Sequence, residues 1–554
     1  MIAFKYSTIA FAVTISLLTG CGGGGGSSDN PPVATTPSTP TTPVETAPKW
    51  EAGIYEPQSR FIAKCENPRR GTDPFTGDAY PDTQGSALEE KLWLRSWTNE
   101  TYLWYDEVPD RDPANYSILD YFDLLKTNEV TASGNRKDQF HGSIDTAEYN
   151  ALSQSGISSG YGFNWKQGSV TVPRWRTVNF TEPNSPAATA NVPRGAVLKR
   201  VNGIDYINDN TQRGVDILNA ALFPDKPSIV TNFEFRLPDD SSLSVDLTSS
   251  DIVLSPVQNV KVLDSQNGRV GYFQFNAFLT SAQQDLVDAF DSFVEQNVTE
   301  LVIDLRYNGG GRLALASQLS YMVAGPSQTN NAIFETLRFN DKSPSINPVT
   351  REPIRPTPFY DKVIDYSESE FTDVQLPSLS LTRVYVLTTD ATCSASEAVM
   401  NALRGIDVEV VQIGSRTCGK PFGFYPTDNC GETYFTIQFQ GVNNKGFGDY
   451  ADGFRPASTP NFDFELPGCR VEDDLSKSLG DPNEGMLSAA LHYAATGSCP
   501  EVASSNGSAL IEDTSGFENA SSDKKLIPIE SPEQRRKTFI LHNKIDQPVI
   551  EKRK

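Results

Sequence analysis

The chain has 554 residues, 38% of them hydrophobic and 10% aromatic, which is too long for one core and enough for three or four units of roughly 100–200 residues. Lysine and arginine number 47 against 70 aspartates and glutamates, a net charge of −23. That balance lacks the basic surface needed to neutralise phosphates, so no nucleic-acid partner is expected.

In chain order, Ile9 to Leu18 comes first, an apolar run too short to remain as a bilayer span and typical of an export signal. It ends in Leu18-Thr19-Gly20-Cys21, which resembles the lipobox of bacterial lipoproteins. The resemblance implies removal of residues 1–20 and acylation of Cys21. With Gly22 next, it also implies an anchor on the periplasmic side of the outer membrane. Residues 21–49 are rich in Gly, Ser, Thr and Pro and read as a disordered tether. No later run is long and apolar enough for a transmembrane helix.

Export changes how the other cysteines are read. Setting Cys21 aside leaves an even set in an oxidising compartment, where disulfides are expected but sequence does not give their pairing. Cys65 and Cys499 bracket the folded region and are candidates to tie its ends. A Cys393–Cys418 pair would pin together two loops that matter below. The spacings do not suggest a zinc site, and no metal is expected.

Residues 50–147 carry clusters such as Trp93, Leu94, Trp97 and Tyr121, Phe122, Leu125, read as short amphipathic helices around an aromatic core. Residues 148–250 contain Gly160-Tyr161-Gly162-Phe163, the alanine-rich stretch after Pro186, and Arg194-Gly195-Ala196-Val197-Leu198-Lys199-Arg200-Val201-Asn202-Gly203. Together these resemble a PDZ domain of the bacterial protease type, in which a glycine-containing loop takes a peptide carboxylate while the peptide adds as a strand. The same glycines would also suit ordinary turns. Residues 251–500 alternate strand and helix: Val270–Phe275, then Ala282–Gln296, then the buried run Leu301–Leu305, then Val384–Leu387. That is an α/β domain. Residues 501–554 read as a disordered, mixed-charge tail.

The site chemistry narrows by exclusion. There are three histidines, His141, His492 and His542, none near a nucleophile motif, and neither a Walker loop nor H-E-x-x-H occurs. Ser394-Ala395-Ser396-Glu397 fits the S-x-x-E capping box at the start of a helix ending near Gly405, so Ser394 is either a helix cap or a nucleophile. It follows the strand Val384–Leu387, where an open α/β sheet binds ligands and a helix N-terminus favours a developing oxyanion. Helix out and strand Val408–Ile413 back return Gly419-Lys420 to the same edge. A lysine base must be neutral to take a serine proton, which requires apolar cover, and Pro421, Phe422 and Phe424 are candidates. Asp304-Leu305-Arg306-Tyr307-Asn308-Gly309-Gly310-Gly311 ends a buried strand in glycines that allow close backbone approach; the amides of Gly310 and Ala395 could form an oxyanion hole.

In this order the D-L-R-x-N-x-G-G, S-A-S-E and G-K segments resemble the C-terminal processing (tail-specific) serine proteases. The similarity runs from about Trp93 to Ala495. It implies a crotonase/ClpP-like α/β protease core, a PDZ-like domain and a small N-terminal helical domain. It also implies a Ser394/Lys420 dyad without cofactor, an oxyanion hole at Gly310 and Ala395, and substrates that are proteins or peptides entered from their C-termini. Family members often carry a glutamine that orients the lysine, in G-K-G-x-x-Q, whereas Phe424 holds that position here. Gln438 and Gln440 are the candidates to replace it. Two alternatives remain: a scaffold that binds peptides or ligands without cutting, and an esterase using the same dyad.

Overall fold

The computed structural model describes residues 48–501, except 156, 225, 266 and 267, together with 544–545. The export signal, Cys21, the tether up to residue 47 and most of the tail lie outside the described residues. Among the described residues no helix is long and apolar enough to cross a membrane.

The N-terminal unit is built on helix α1 (Ala87–Thr101), started by Ser86, whose hydroxyl accepts the Glu89 N–H. Trp93 and Trp97 stack with ring centroids 5.2 Å apart, and Phe122 from α2 (Ile118–Asp123) closes on Trp97. The aromatic core expected here is present, but it is shared with the third unit. Tyr434 lies 4.8 Å from Phe122, and strand β1 (Gly142–Asp145) pairs antiparallel with Glu432–Phe435. Burial of each such side chain contributes about 1.5–3 kcal/mol, so this packing fixes the N-terminal unit to the third.

The second unit is entered and left through a two-stranded neck, β2 (Ile157–Gly160) and β8 (Ser250–Val253). Between them lie β3 (Phe163–Gln167), β4 (Arg176–Thr181), β5 (Val197–Val201), β6 (Val230–Arg236) and β7 (Ser242–Thr248), in sheet order β7-β6-β5-β4-β3. Helix α3 (Gln212–Leu222) sets Val215 and Leu218 against Leu198, Phe233 and Phe235 of the sheet. β3 is an edge strand.

The third unit is centred on a seven-stranded sheet. Its strands are β9 (Val257–Ser265), β10 (Gly268–Phe275), β11 (Val298–Asp304), β13 (Arg383–Thr388), β14 (Glu409–Gly414), β16 (Arg455–Ala457) and β17 (Glu465–Arg470). Further short strands lie outside it, among them β12 (Gly311–Arg312) and β15 (Phe422–Gly423). The order is β9-β10-β11-β13-β14-β17-β16, with β9 antiparallel and the other neighbours parallel. Helices α4 (Ala282–Glu295), α5 (Leu313–Ala324) and α6 (Ala395–Gly405) pack on one face, and α7 (Gly485–Thr496) on the other. A central parallel strand covered on both sides has to be apolar at every position, which is why Leu301, Val302 and Ile303 are all fully buried.

Three disulfides join the described residues: Cys65–Cys430, Cys393–Cys418 and Cys469–Cys499. The pairing of Cys393 with Cys418 matches expectation; that of Cys65 with Cys499 does not. Cys65 sits where the N-terminal unit meets the hairpin before Glu432, whereas Cys499 follows α7 on the far face beside β17, so each finds a nearer partner. Within the tail expected to lack structure, Lys544–Ile545 form a strand, β18.

Candidate active site

Ser394 lies in the turn from β13 into α6 and has φ 63°, an uncommon value for a residue with a side chain, costing about 1–3 kcal/mol. Neighbouring bonds hold the turn there. The Cys393 N–H and the Ser396 hydroxyl both donate to the Asn308 carbonyl at 3.0 Å, and the Ser394 N–H donates to Glu397 Oε2 at 2.8 Å. Glu397 thus supplies its half of the capping box. The Ser394 hydroxyl is fully buried and makes no hydrogen bond among the described residues. It faces the start of α6 in the capping-box arrangement but without a hydrogen bond of full geometry, which leaves its oxygen available for chemistry.

Lys420 returns to this turn as the helix-out, strand-back path requires. Its N–H donates to the same Glu397 Oε2 at 2.8 Å, the Gly419 N–H donates to Glu397 Oε1 at 2.9 Å, and the Cys418 N–H donates to the Thr392 carbonyl. The Lys420 side chain is completely buried, with Nζ 4.4 Å from the Phe140 ring centroid and 4.6 Å from that of Phe424. Of the three residues expected to cover it, Phe424 does so directly. Phe422 turns its ring to Trp104 at 4.8 Å, and the Pro421 carbonyl accepts the Gly441 N–H. Phe140, from the segment just before β1, joins Phe424 over the amine, and nothing in its sequence surroundings signals this.

Among the described residues, no hydrogen bond joins either candidate glutamine to the amine. Gln440 donates its amide to the Gly448 carbonyl at 2.8 Å; Gln438 accepts the Tyr425 N–H at 2.8 Å, and its NH2 is buried without a partner among the described residues. The group that organises this side of the site is Glu397. It also accepts from the Thr417 hydroxyl at 2.5 Å. Burial pushes its carboxyl above the usual pKa, and the bonds from Thr417, Lys420, Ser394 and Gly419 work against that shift.

The glycine loop approaches from β11. Each polar residue of its motif has a structural task. Asp304 accepts from Tyr272 and Arg306, and the buried Arg306 guanidinium makes a bidentate pair with Glu484 at 2.8 and 2.9 Å and a bond to Asp473 at 2.7 Å. Tyr307 donates to Asp473 and accepts from Arg194, which ties the second unit to the loop. Asn308 donates to the Phe275 carbonyl at 2.9 Å.

Gly310 has φ 110°, and a Cβ added there would lie 2.8 Å from Ser394 Cβ and 2.9 Å from the Ala395 nitrogen. Only glycine permits this approach. The expected pair of free amides is half present. The Ala395 N–H, one of the orphan donors of α6, has no acceptor among the described residues, while the Gly310 N–H donates to Asn308 Oδ1 at 2.9 Å.

The loop at Gly160–Phe163 lies in the second unit. Tyr161 is a core residue there, its hydroxyl on Thr231 and its ring 5.0 Å from Phe233. The Tyr161 and Gly162 carbonyls accept from Ala187 and Glu182, and Gly162 (φ 84°) packs against Ser185. Of the histidines, His141 is buried between Thr436 and the Phe122 carbonyl and held neutral by burial, its pKa lowered to about 4. His492 is on α7, across the sheet from Ser394, and His542 lies outside the described residues.

Residues 269–428 match peptidase family S41. A carboxyl-terminal-processing protease of Picosynechococcus sp. (strain ATCC 27264 / PCC 7002 / PR-6) is 26% identical over 240 residues, 43% of this chain and 49% of that protein, so the chain spans about half the length of this curated relative. A solved structure from Bacteroides fragilis NCTC 9343, named among the S41 proteases, superposes with a TM-score of 0.53 at 24% identity, covering 75% of this chain and 98% of that one. Residues 269–428 thus match the S41 peptidases, and the chain has the S41 protease fold, within a multidomain α/β architecture.

Proposed function

We propose that the chain is a serine endopeptidase that cleaves unfolded or partly folded proteins in their C-terminal regions. In this reading the Ser394 hydroxyl attacks the scissile carbonyl and its proton passes to the Lys420 amine. The oxyanion is received at the Ala395 N–H, with the Gly310 amide joining once Asn308 releases it. Lys420 then gives its proton to the departing amine, and water, activated by the same lysine, releases the acyl group from Ser394. An amine enclosed by Phe140 and Phe424 has the water-poor setting that a neutral lysine base requires.

The observation that carries this reading is the shared carboxylate: Ser394 and Lys420 hang by their backbone amides from one oxygen of Glu397, beside a glycine that admits no side chain. The similarity to a carboxyl-terminal-processing protease supports the substrate class. The second unit is proposed as a PDZ-like module, with edge strand β3 as the place where a peptide adds. Location at the periplasmic face of the outer membrane, through a lipid on Cys21, rests on the Leu18–Cys21 pattern. A non-cutting scaffold is the rival, favoured by the engaged Gly310 amide.

Reaction with a fluorophosphonate separates the two. An activated Ser394 gains one phosphonyl group, located by peptide mass spectrometry and absent from Lys420→Ala; an unreactive Ser394 in folded protein supports the scaffold.

A further inference from the structure

Strand β18 pairs in parallel with β12, Lys544 opposite Gly311 and Ile545 opposite Arg312. Gly311 directly follows the glycine that packs on Ser394. Cα atoms of β18 also come within 8 Å of β15, which begins two residues after Lys420. One short strand thus lies beside both the oxyanion segment and the base segment. Ser394 and Lys420 are both wholly shielded from solvent.

The sequence fits such a role. Just before Lys544–Ile545 it has Phe539-Ile540-Leu541, strand-forming apolar residues, and Pro548 follows three residues after Ile545. From Glu501 to Lys544 there are roughly forty residues, which can extend to about 140 Å, so reach places no limit on docking.

We propose that the segment around Lys544–Ile545 is an intramolecular occupant of the peptide cleft, docked by β-augmentation and competing with any chain offered from outside. A tethered segment acts at an effective concentration on the order of 1 mM, so an intrinsic Kd of about 0.1 mM keeps the cleft roughly nine-tenths filled. The proposal rests on the peptidase reading for what the cleft does to other chains, and on the strand pairing alone for what fills it.

The test uses the full chain and the variant Lys544→Pro/Ile545→Pro, which removes two N–H donors from the strand. Two quantities are measured. One is kcat and KM for an unfolded protein; the other is binding of a fluorescent peptide of residues 539–550, by anisotropy, on a Ser394→Ala background. The expected result is a KM about tenfold lower at unchanged kcat, and peptide affinity about tenfold higher, in the proline variant. Equal peptide affinity in the two chains, with both folded by circular dichroism, overturns the proposal whatever the activity. Tighter peptide binding by the variant with no cleavage by either chain upholds the occupancy and rejects the peptidase reading.

Discussion

Ser394 and Lys420 donate their backbone N–H groups to the same atom, Glu397 Oε2, at 2.8 Å each. One buried carboxylate therefore sets the distance between the candidate nucleophile and base. The Cys393–Cys418 disulfide crosses the same two segments one residue before Ser394 and two before Lys420.

Glu397→Gln presents an NH2 group to donors that a carboxylate accepts. The account predicts kcat reduced by about 10–100-fold, with KM little changed, as the segments separate. Because burial raises the Glu397 pKa, acid neutralises this carboxylate sooner than an ordinary one. The wild-type kcat profile then carries an acid limb that the variant lacks, measured from pH 4 to 8; identical profiles would remove Glu397 from the positioning role.

Gly310→Ala places a methyl group 2.8 Å from Ser394 Cβ on a backbone at φ 110°. Loss of oxyanion geometry is expected to lower kcat by about 10²–10³-fold. Stopped-flow acylation rates check this, alongside a thermal melt that shows how much of the loss is unfolding.

The disulfides are expected to divide by function. Cys393→Ser/Cys418→Ser should lower kcat/KM by about tenfold or more, since it frees the nucleophile and base segments from each other. Cys469→Ser/Cys499→Ser, away from the site, should cost about 2–4 kcal/mol of stability with kcat intact in the folded fraction. Urea denaturation and initial rates on both variants make the comparison.

Glu182 lies where the second unit meets the core, accepting from the Ser255 N–H and the Gln258 amide, and burial pushes its pKa up to about 7. With the folded pKa above the unfolded one, the folded state binds the extra proton between about pH 4.5 and 7, so stability falls as pH rises through that window and stays lower above it. Glu182→Gln removes the buried charge and is predicted to raise stability by about 1–3 kcal/mol at pH 8 and by much less at pH 4.5. Urea unfolding at the two pH values measures the difference.

The path of the candidate-site segments was legible in the sequence because parallel strands buried on both faces must be continuous apolar runs, as Leu301–Ile303 is, and because helix-out, strand-back returns a chain to one edge of the sheet. That placed Ser394, Lys420 and Gly310 together. Contacts made by residues distant in sequence were not legible. Phe140 reaches Lys420 only because β1 pairs with Glu432–Phe435, and Cys65 reaches Cys430 for the same reason. The capping-box pattern at Ser394 could not show that the hydroxyl, on a backbone at φ 63°, would be buried without a hydrogen bond among the described residues. Nor could the polar bias of the tail show that Lys544–Ile545 would pair with β12.

The central claim is that Ser394 and Lys420 act as nucleophile and base. Its most direct measurement is mass spectrometry of an unfolded protein incubated with wild type, Ser394→Ala and Lys420→Ala. The account predicts fragments cut in the C-terminal region by wild type and at least about 10³-fold slower cleavage by both variants, each folded by circular dichroism. Undiminished cleavage by Ser394→Ala would contradict it.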